Sequence, residues 1–135
     1  MEEPRCSAGV LVVEDDFVVA MDVQDLLSEL GFRDVYLAHD LRMGRALLLS
    51  KAPALGLLDV NIGRHPVFPL AAELRARRIP IIFSTGLAPT EFPSEWATHP
   101  IMPKPPNKRA LIATLAGLGF VTRGLAANHS SLAIS

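Results

Sequence analysis

The sequence predicts an α/β fold in which a doubly wound sheet of five parallel strands carries helices on both faces. Short apolar runs alternate with longer segments whose apolar residues recur at helical spacing, an order typical of right-handed βαβ units. The apolar runs do not alternate with polar residues, which indicates strands buried on both faces. Polar residues follow several of these runs, at the sheet edge where such folds bind ligands.

Length and composition favour one domain and exclude several classes of protein. The chain has 135 residues, 50% of them hydrophobic, and 13 Lys+Arg against 14 Asp+Glu give a net charge of −1. The apolar fraction is too high for a disordered chain, and the charge balance argues against a nucleic-acid-binding protein. Because no apolar stretch is long enough to span a membrane and no secretory signal is visible, we expect a cytoplasmic protein without membrane partners. The single cysteine, Cys6, excludes an internal disulfide.

The first half of the chain is expected to contribute three strands and two helices. Their predicted bounds are strands 10–13, 35–38 and 54–59, helix 17–30, and a helix that begins at residue 41 and stops before Pro53. Asp15 or Asp16 is placed to cap the first helix, Asp40 to cap the second, and Gly31 to end the first. The stripe of residues that recur at helical spacing in the first helix comprises Phe17, Ala20, Met21, Gln24, Leu27 and Leu30, or their neighbours, and its Met and Leu positions are expected to lie in the core.

The second half is expected to contribute two strands and three helices. Their predicted bounds are helix 66–78, strand 80–85, a short helix at 91–97, strand 101–102 and helix 108–118. Pro89, Pro93 and Pro100 leave room for only a short fourth helix, and Asn107 is placed to cap the last one. The expected organisation is a leader at 1–8, a domain at 9–118, and a tail at 119–135 with no output domain.

Charged and hydroxyl side chains gather at the ends of the predicted strands. The set comprises Glu14, Asp15 and Asp16 after the first strand, Asp59 at the end of the third, Thr85 at the end of the fourth, and Lys104 at the end of the fifth. If the first, third, fourth and fifth strands are neighbours, these groups converge on one pocket, because the carboxyl ends of parallel strands share an edge. Asp16 is expected to act instead as a helix cap or a solvated acid.

The expected pocket has the chemistry of a phosphoryl-transfer site that uses Mg²⁺. Converging carboxylates repel each other unless a cation neutralises them, and hard oxygen ligands favour Mg²⁺. Asp15 and Asp59 would hold the ion, and Asp59 would attack phosphorus to form an aspartyl phosphate. The ammonium of Lys104 and the hydroxyl of Thr85 would stabilise the oxygens of the transferred group.

The remaining cations and histidines are expected to lie outside this pocket. Arg75, Arg77 and Arg78 come at the end of a predicted helix, where cations complement the helix dipole, so they are interpreted as a solvated helix end. The histidines lack metal-ligand spacing and are expected to be loop or surface residues; they are His39, His65, His99 and His129.

Four short motifs resemble those of the receiver domain of two-component response regulators. They are Glu14-Asp15 after an apolar strand, Leu58-Asp59-Val60-Asn61, Ser84-Thr85-Gly86 and Lys104-Pro105, in the family's order and at its separations. The resemblance covers residues 10–118 and implies a flavodoxin-like receiver fold with a shortened fourth helix. It also implies that the chain is no enzyme beyond self-phosphorylation and autodephosphorylation of its aspartyl phosphate.

The same resemblance implies a role for each site residue. Asp59 is the phosphoacceptor, Thr85 the switch hydroxyl, and Lys104 the family's lysine, with its peptide bond to Pro105 expected to be cis. The implied ligands of Mg²⁺ are Asp15, Asp59, the backbone carbonyl of Asn61, and Glu14 through a water molecule.

A narrower resemblance concerns the segment Pro80–Gly86, which is similar to the Pro-Phe-x-Phe-Ala-Thr-Gly motif of FAT GUY single-domain receivers. It implies a histidine kinase of the HWE type, or a related one, as partner. Ser84 replaces the motif's alanine, Ala88 stands where the motif has tyrosine, and Ile101 stands where many receivers carry an aromatic switch residue. The candidates to replace that aromatic side chain are Phe83 and Trp96.

The sequence leaves three functions open. The leading hypothesis is a stand-alone response regulator that accepts phosphate from a histidine kinase or phosphotransfer protein and acts by protein–protein interaction or phosphate diversion. The second is a phosphorylation-independent interaction module on the same fold. The third, a haloacid-dehalogenase-like phosphatase, is disfavoured because Asn61 replaces the second acid of that motif. The oligomeric state, a homodimer included, is left open.

Overall fold

The computed structural model describes residues 9–86, 92–104 and 106–122, so Ala88 and Pro105 lie outside the described residues. The strands are β1 (Val10–Val13), β2 (Val35–Ala38), β3 (Leu55–Asp59), β4 (Asn61–Ile62), β5 (His65–Pro66), β6 (Ile81–Thr85) and β7 (Ile101–Pro103). The helices are α1 (Phe17–Glu29), α2 (Leu41–Lys51), α3 (Phe68–Ala76) and α4 (Lys108–Gly117), with a 3₁₀ turn at Ser94–Trp96. None of the helices in these ranges combines the length and hydropathy that a bilayer span requires.

Five strands form one parallel sheet in the order β2-β1-β3-β6-β7. The predicted doubly wound α/β sheet is confirmed, and β1, β3, β6 and β7 are neighbours, as convergence of the site residues requires. The chain leaves β1 toward β2 and returns to the other side of β1 at β3, so the strand order reverses between β1 and β3. A crevice therefore opens at the carboxyl ends of these two strands.

Each face of the sheet carries its own apolar core. On one face, Leu11 and Val13 of β1 belong to a cluster that includes residues of α2 and α3. On the other face, Val10 and Val12 belong to a cluster that includes residues of α1 and α4. All four residues of β1 and all five of β3 are buried, which explains why these runs are apolar without alternation.

The buried face of α1 differs from the predicted stripe. Ala20, Val23 and Leu27 are the buried residues of the helix, whereas Phe17 is 75% exposed and Met21 is 37% exposed. The first turns of α1 are apolar around the whole helix, so helical spacing alone did not select a face. The contacts of Val23 and Leu27 with the sheet selected it.

Three predicted helix caps are confirmed, and each satisfies a backbone N–H that would otherwise lack a helical partner. Asp16, rather than Asp15, caps α1: its Oδ1 accepts from the backbone N–H groups of Val18 and Val19 at 2.9 and 3.2 Å. The caps of α2 and α4 accept from the residue three positions on; they are Asp40 at 2.7 Å and Asn107 at 2.9 Å.

The segment before α3 forms a small hairpin that the sequence analysis did not predict. β4 pairs antiparallel with β5, with Ile62 opposite His65, and the turn between them consists of Gly63 and Arg64. The expected helix at 66–78 was therefore too long, since α3 begins at Phe68 and ends at Ala76. The hairpin lies directly after the carboxyl end of β3, next to the crevice.

Two segments, the one before β7 and the one after α4, can be compared with their predicted structure. Residues 92–97 of the expected helix at 91–97 are described, and among them only Ser94–Trp96 form a helical turn, of the 3₁₀ type, in agreement with a shortened fourth helix. Packing continues beyond residue 118, because Phe120 is 2% exposed and its ring lies 5.8 Å from that of Phe32. Thr122 is also buried.

Candidate functional site

A cleft of about 510 Å³ opens at the carboxyl ends of β1, β3, β6 and β7. Its lining contains the six site residues that the sequence predicted, together with Asp16 and Gly86; the six are Glu14, Asp15, Asp59, Asn61, Thr85 and Lys104. The strands place these residues together because their carboxyl ends share one edge of the sheet. The predicted convergence is therefore seen in the geometry.

The centre of the cleft is an ammonium group held between two carboxylates. Lys104 Nζ donates to Asp59 Oδ2 at 2.9 Å and lies 2.9 Å from Glu14 Oε1. The side chains of Glu14 and Asp59 are only 4% and 8% exposed, and that of Lys104 is 25% exposed. Charge-assisted hydrogen bonds of this length in a poorly solvated setting hold the three side chains in fixed positions.

Burial and charge shift the pKa values of two of these groups. Burial raises the pKa of Glu14 to about 7, against opposing contributions from the hydrogen bonds it accepts from the backbone N–H of Asp16 and from Lys104. Burial lowers the pKa of Lys104, but the hydrogen bonds and charges of Asp59 and Glu14 outweigh this and raise it above its ordinary value. The ammonium is therefore charged throughout the physiological range.

A third carboxylate completes an acidic cluster. Carboxylate oxygens of Glu14, Asp15 and Asp59 lie within 4.8 Å of one another. Asp15 is exposed, and its Oδ2 accepts a hydrogen bond of 2.8 Å from the backbone N–H of Gly63 in the hairpin turn. Asp16 also lines the cleft, but its Oδ1 caps α1, as the sequence predicted.

The oxygen atoms of this cluster suit a hard divalent cation. Three carboxylates and one ammonium leave a formal charge of −3 + 1 = −2 when all are ionised. A small cation with oxygen ligands, such as Mg²⁺, would neutralise that charge, and an open cleft leaves room for the water ligands that Mg²⁺ retains. The residues therefore fit the ion that the sequence analysis expected.

Asn61 and Thr85 border the acidic cluster from two sides. The backbone N–H of Asn61 donates to Asp59 Oδ1 at 3.4 Å, a long bond that keeps the start of the hairpin beside Asp59. Thr85 ends β6 and is 6% exposed, one residue beyond Ser84, which pairs with Asp59 across the sheet. Both residues lie where the sequence analysis placed them.

The sequence analysis missed the backbone contribution of the hairpin. Gly63 donates to Asp15 through its N–H group, which every residue except proline has, so no residue type marked it. The available signal was the glycine itself, because a two-residue hairpin turn needs positive φ and Gly63 has φ 65°.

An aromatic cluster supports the 3₁₀ turn next to β6. The ring of Trp96 lies 5.8 Å from that of Phe68 and 5.7 Å from that of Phe83. Arg75 lies in the last turn of α3 with its side chain 45% exposed, as predicted for a solvated helix end. It also stacks 4.0 Å above Trp96 and pairs with Glu95 at 3.1 Å, two contacts that the sequence analysis did not predict. His99 lies in the loop before β7, as predicted, and belongs to the same cluster: the centroid of its ring lies 5.2 Å from that of Trp96.

Comparison with curated proteins gives a partial match. No known family profile matches the chain. The transcriptional regulatory protein PdtaR of Mycobacterium tuberculosis is 31% identical over 80 residues, which make up 58% of this chain and 39% of PdtaR. The chain thus spans about two fifths of the length of that curated relative.

Solved structures cover more of the chain. SdrG from Sphingomonas melonis Fr1 is 29% identical with a TM-score of 0.74, over 84% of this chain and 97% of SdrG. The BeF₃-activated conformation of SdrG from Pseudomonas melonis Fr1 is 27% identical with a TM-score of 0.72, over 87% of this chain and 98% of SdrG. The REC domain of the response regulator PhyR from Erythrobacter litoralis shares the fold at 22% identity, with a TM-score of 0.72 over 82% of this chain and 88% of that domain.

Proposed function

We propose that the chain is a receiver domain of the two-component response-regulator type, like the structures whose fold it shares, and that Asp59 accepts a phosphoryl group from a phosphohistidine. The donor would be a histidine kinase or a phosphotransfer protein, and an HWE-type kinase is the specific candidate from the sequence motif at residues 80–86. The output would be a protein–protein interaction or diversion of phosphate, without turnover of an external substrate.

One observation carries the proposal: Lys104 Nζ lies 2.9 Å from Asp59 Oδ2 at the floor of an open cleft. A carboxylate that is nearly buried and oriented by an ammonium is held for attack, which removes much of the entropic cost of the reaction. The same ammonium would stabilise the negative charge on the oxygens of a phosphoryl group transferred to Asp59.

The transfer replaces one bond to phosphorus by another. An oxygen of Asp59 attacks the phosphorus of the phosphohistidine, the bond between phosphorus and the imidazole nitrogen breaks, and its electron pair returns to the imidazole. The phosphohistidine reacts with a proton on its second ring nitrogen, so the leaving group is a neutral imidazole, and the products are an aspartyl phosphate and a neutral histidine on the donor. Positioning and charge stabilisation account for most of the catalysis in such a reaction.

Mg²⁺ is the proposed cofactor, and it supplies charge neutralisation at the phosphoryl oxygens when it is bound. The residues that would hold it are Asp15, Asp59, the backbone carbonyl of Asn61, and Glu14 through a water molecule. The fit of the oxygen cluster around Glu14, Asp15 and Asp59 supports this assignment. Thr85, at the end of β6, is the proposed partner of a phosphoryl oxygen.

Phosphorylation with radiolabelled acetyl phosphate tests the proposal without knowledge of the kinase. The wild type is expected to take up label in the presence of Mg²⁺ and to lose this uptake in EDTA. Asp59→Asn should abolish labelling, whereas the matched variant Asp25→Asn, an exposed acid on α1, should label normally. Equal labelling of Asp59→Asn and wild type would exclude Asp59 as the acceptor.

A second candidate function is an interaction module that works independently of phosphate. The observation that favours it is the packing of Trp96, which two phenylalanine rings and Arg75 hold against α3 and β6. Ile101 offers no aromatic side chain to couple Thr85 to this turn. Partner affinity that does not change on addition of beryllofluoride and Mg²⁺ would favour this module over the switch.

A further inference from the structure

We propose that the β4–β5 hairpin is a positioning device for Asp15, and that Gly63 sets the divalent-cation affinity of the cleft through its backbone N–H. This inference rests on the proposed function, because it concerns the cation that the cleft would hold. It assigns a role to a residue outside the four sequence motifs.

The hairpin is fixed at its base and reaches the cleft at its turn. Val60 is 2% exposed and Val67 is fully buried, so apolar side chains anchor both ends of the hairpin in the core, and Ile62, next to the turn, is 3% exposed. The backbone N–H of Val67 donates to the carbonyl of Val60 at 2.8 Å, which closes the base. The turn residue Gly63 then lies 2.8 Å from Asp15 Oδ2, across 48 positions of sequence.

The hydrogen bond matters because, within residues 9–86, 92–104 and 106–122, the N–H of Gly63 is what restrains the Asp15 side chain. Its side chain is exposed, unlike those of Glu14 and Asp59, and an exposed carboxylate samples several rotamers. Donation to Oδ2 selects one orientation and leaves Oδ1 with both lone pairs available for a cation. The cation then binds a carboxylate that is already oriented, as hydrogen bonds in the outer shell do at many metal sites.

Gly63 is suited to this role by its backbone conformation. Its φ is 65°, in the left-handed region that glycine adopts without strain and that Asn tolerates better than other residues. No heavy atom lies within 4 Å of where a Cβ would stand, so a side chain would act through the backbone rather than by a clash. A β-branched residue at this position should displace the turn and its N–H group.

The test compares four proteins for their affinity for Mn²⁺, which takes the same oxygen ligands as Mg²⁺ and whose free form is measured by electron paramagnetic resonance. Gly63→Val is expected to weaken Mn²⁺ binding about tenfold, and Gly63→Asn to stay within about twofold of the wild type. The control is Gly119→Val, because Gly119 also has positive φ, 92°, and also has open space around its Cβ position. This control should lose stability without a change in affinity.

Each outcome decides the inference. Wild-type affinity, or a tighter one, in Gly63→Val would overturn it, and so would equal weakening in Gly119→Val, which would indicate a general loss of stability. If urea unfolding shows that Gly63→Val does not fold, Gly63→Ala replaces it, with about threefold weakening expected and unchanged affinity as the contrary result. A wild type that binds no Mn²⁺ would overturn the proposed cation site itself, and the inference with it.

Discussion

Replacing Lys104 by methionine should destabilise the metal-free protein much more at pH 8 than at pH 5.5. Methionine keeps the length of the side chain and removes the ammonium that lies 2.9 Å from both Glu14 and Asp59. At pH 8 this leaves two carboxylates, 4% and 8% exposed, next to each other without a cation. At pH 5.5 Glu14 is already protonated, because its pKa is raised to about 7.

The magnitude follows from the burial of the partners. Removing one member of a buried ion pair costs about 3–5 kcal/mol. Since the Lys104 side chain is 25% exposed and solvent screens its charge, we expect a loss of about 2–3 kcal/mol in the free energy of unfolding at pH 8. At pH 5.5 only the contact with Asp59 is lost, and the expected loss is about 1 kcal/mol.

Urea unfolding followed by tryptophan fluorescence measures both values, since Trp96 is the single tryptophan. The control is Lys108→Met, which breaks an ion pair of 2.7 Å with Glu29 whose side chains are 49% and 60% exposed. Such a surface pair contributes less than about 1 kcal/mol at either pH. Equal losses for Lys104→Met at the two pH values, or a loss at pH 8 no larger than that of the control, would refute the reasoning.

Three further predictions concern Glu14, the central strand and the aromatic cluster. The raised pKa of Glu14 favours its protonated form in the folded state. The metal-free protein should therefore lose stability as pH rises from about 4.5 to 7, by at most about 1.4 kcal/mol per pH unit. Urea unfolding of Glu14→Gln should show a flatter dependence of stability on pH. Gly56→Ala should cost about 1–3 kcal/mol, measured by thermal unfolding, since its Cβ would overlap the buried side chain of Leu74; an unchanged melting temperature would contradict the packing. Calorimetry should show that Trp96→Ala lowers the free energy of unfolding by about 3–5 kcal/mol, because it leaves a cavity among the rings of Phe68, Phe83 and His99. Arg75→Ala should lower it by about 1 kcal/mol, because it removes a partly exposed cation–π contact. A larger loss for Arg75→Ala than for Trp96→Ala would contradict the packing of the cluster.

The strands and the acidic site were predictable because one physical constraint determines both. A strand buried on both faces must be apolar until it leaves the sheet, so the first polar residue marks the carboxyl edge. Glu14 after β1, Asp59 at the end of β3 and Lys104 after β7 all follow this rule. The sheet order then brings these residues together.

Features that depend on tertiary contacts or on the backbone were not predictable in the same way. The predicted stripe of α1 included Phe17 and Met21, which are exposed, because the first turns of that helix carry apolar residues on every side. The stacking of Arg75 on Trp96 joins two segments whose charge pattern gave no sign of it. The N–H group of Gly63 was missed because backbone donors carry no residue-type signal.

The burial of β3 has a consequence for how motion is distributed around Asp59. This strand has hydrogen-bonded neighbours on both edges and an apolar core on both faces, so its amide hydrogens should exchange with solvent only when the whole domain unfolds. The exposed turn at Gly63 can open locally at much lower cost. A chemical change at Asp59 would therefore leave β3 in place and change the conformation of the loops around the cleft.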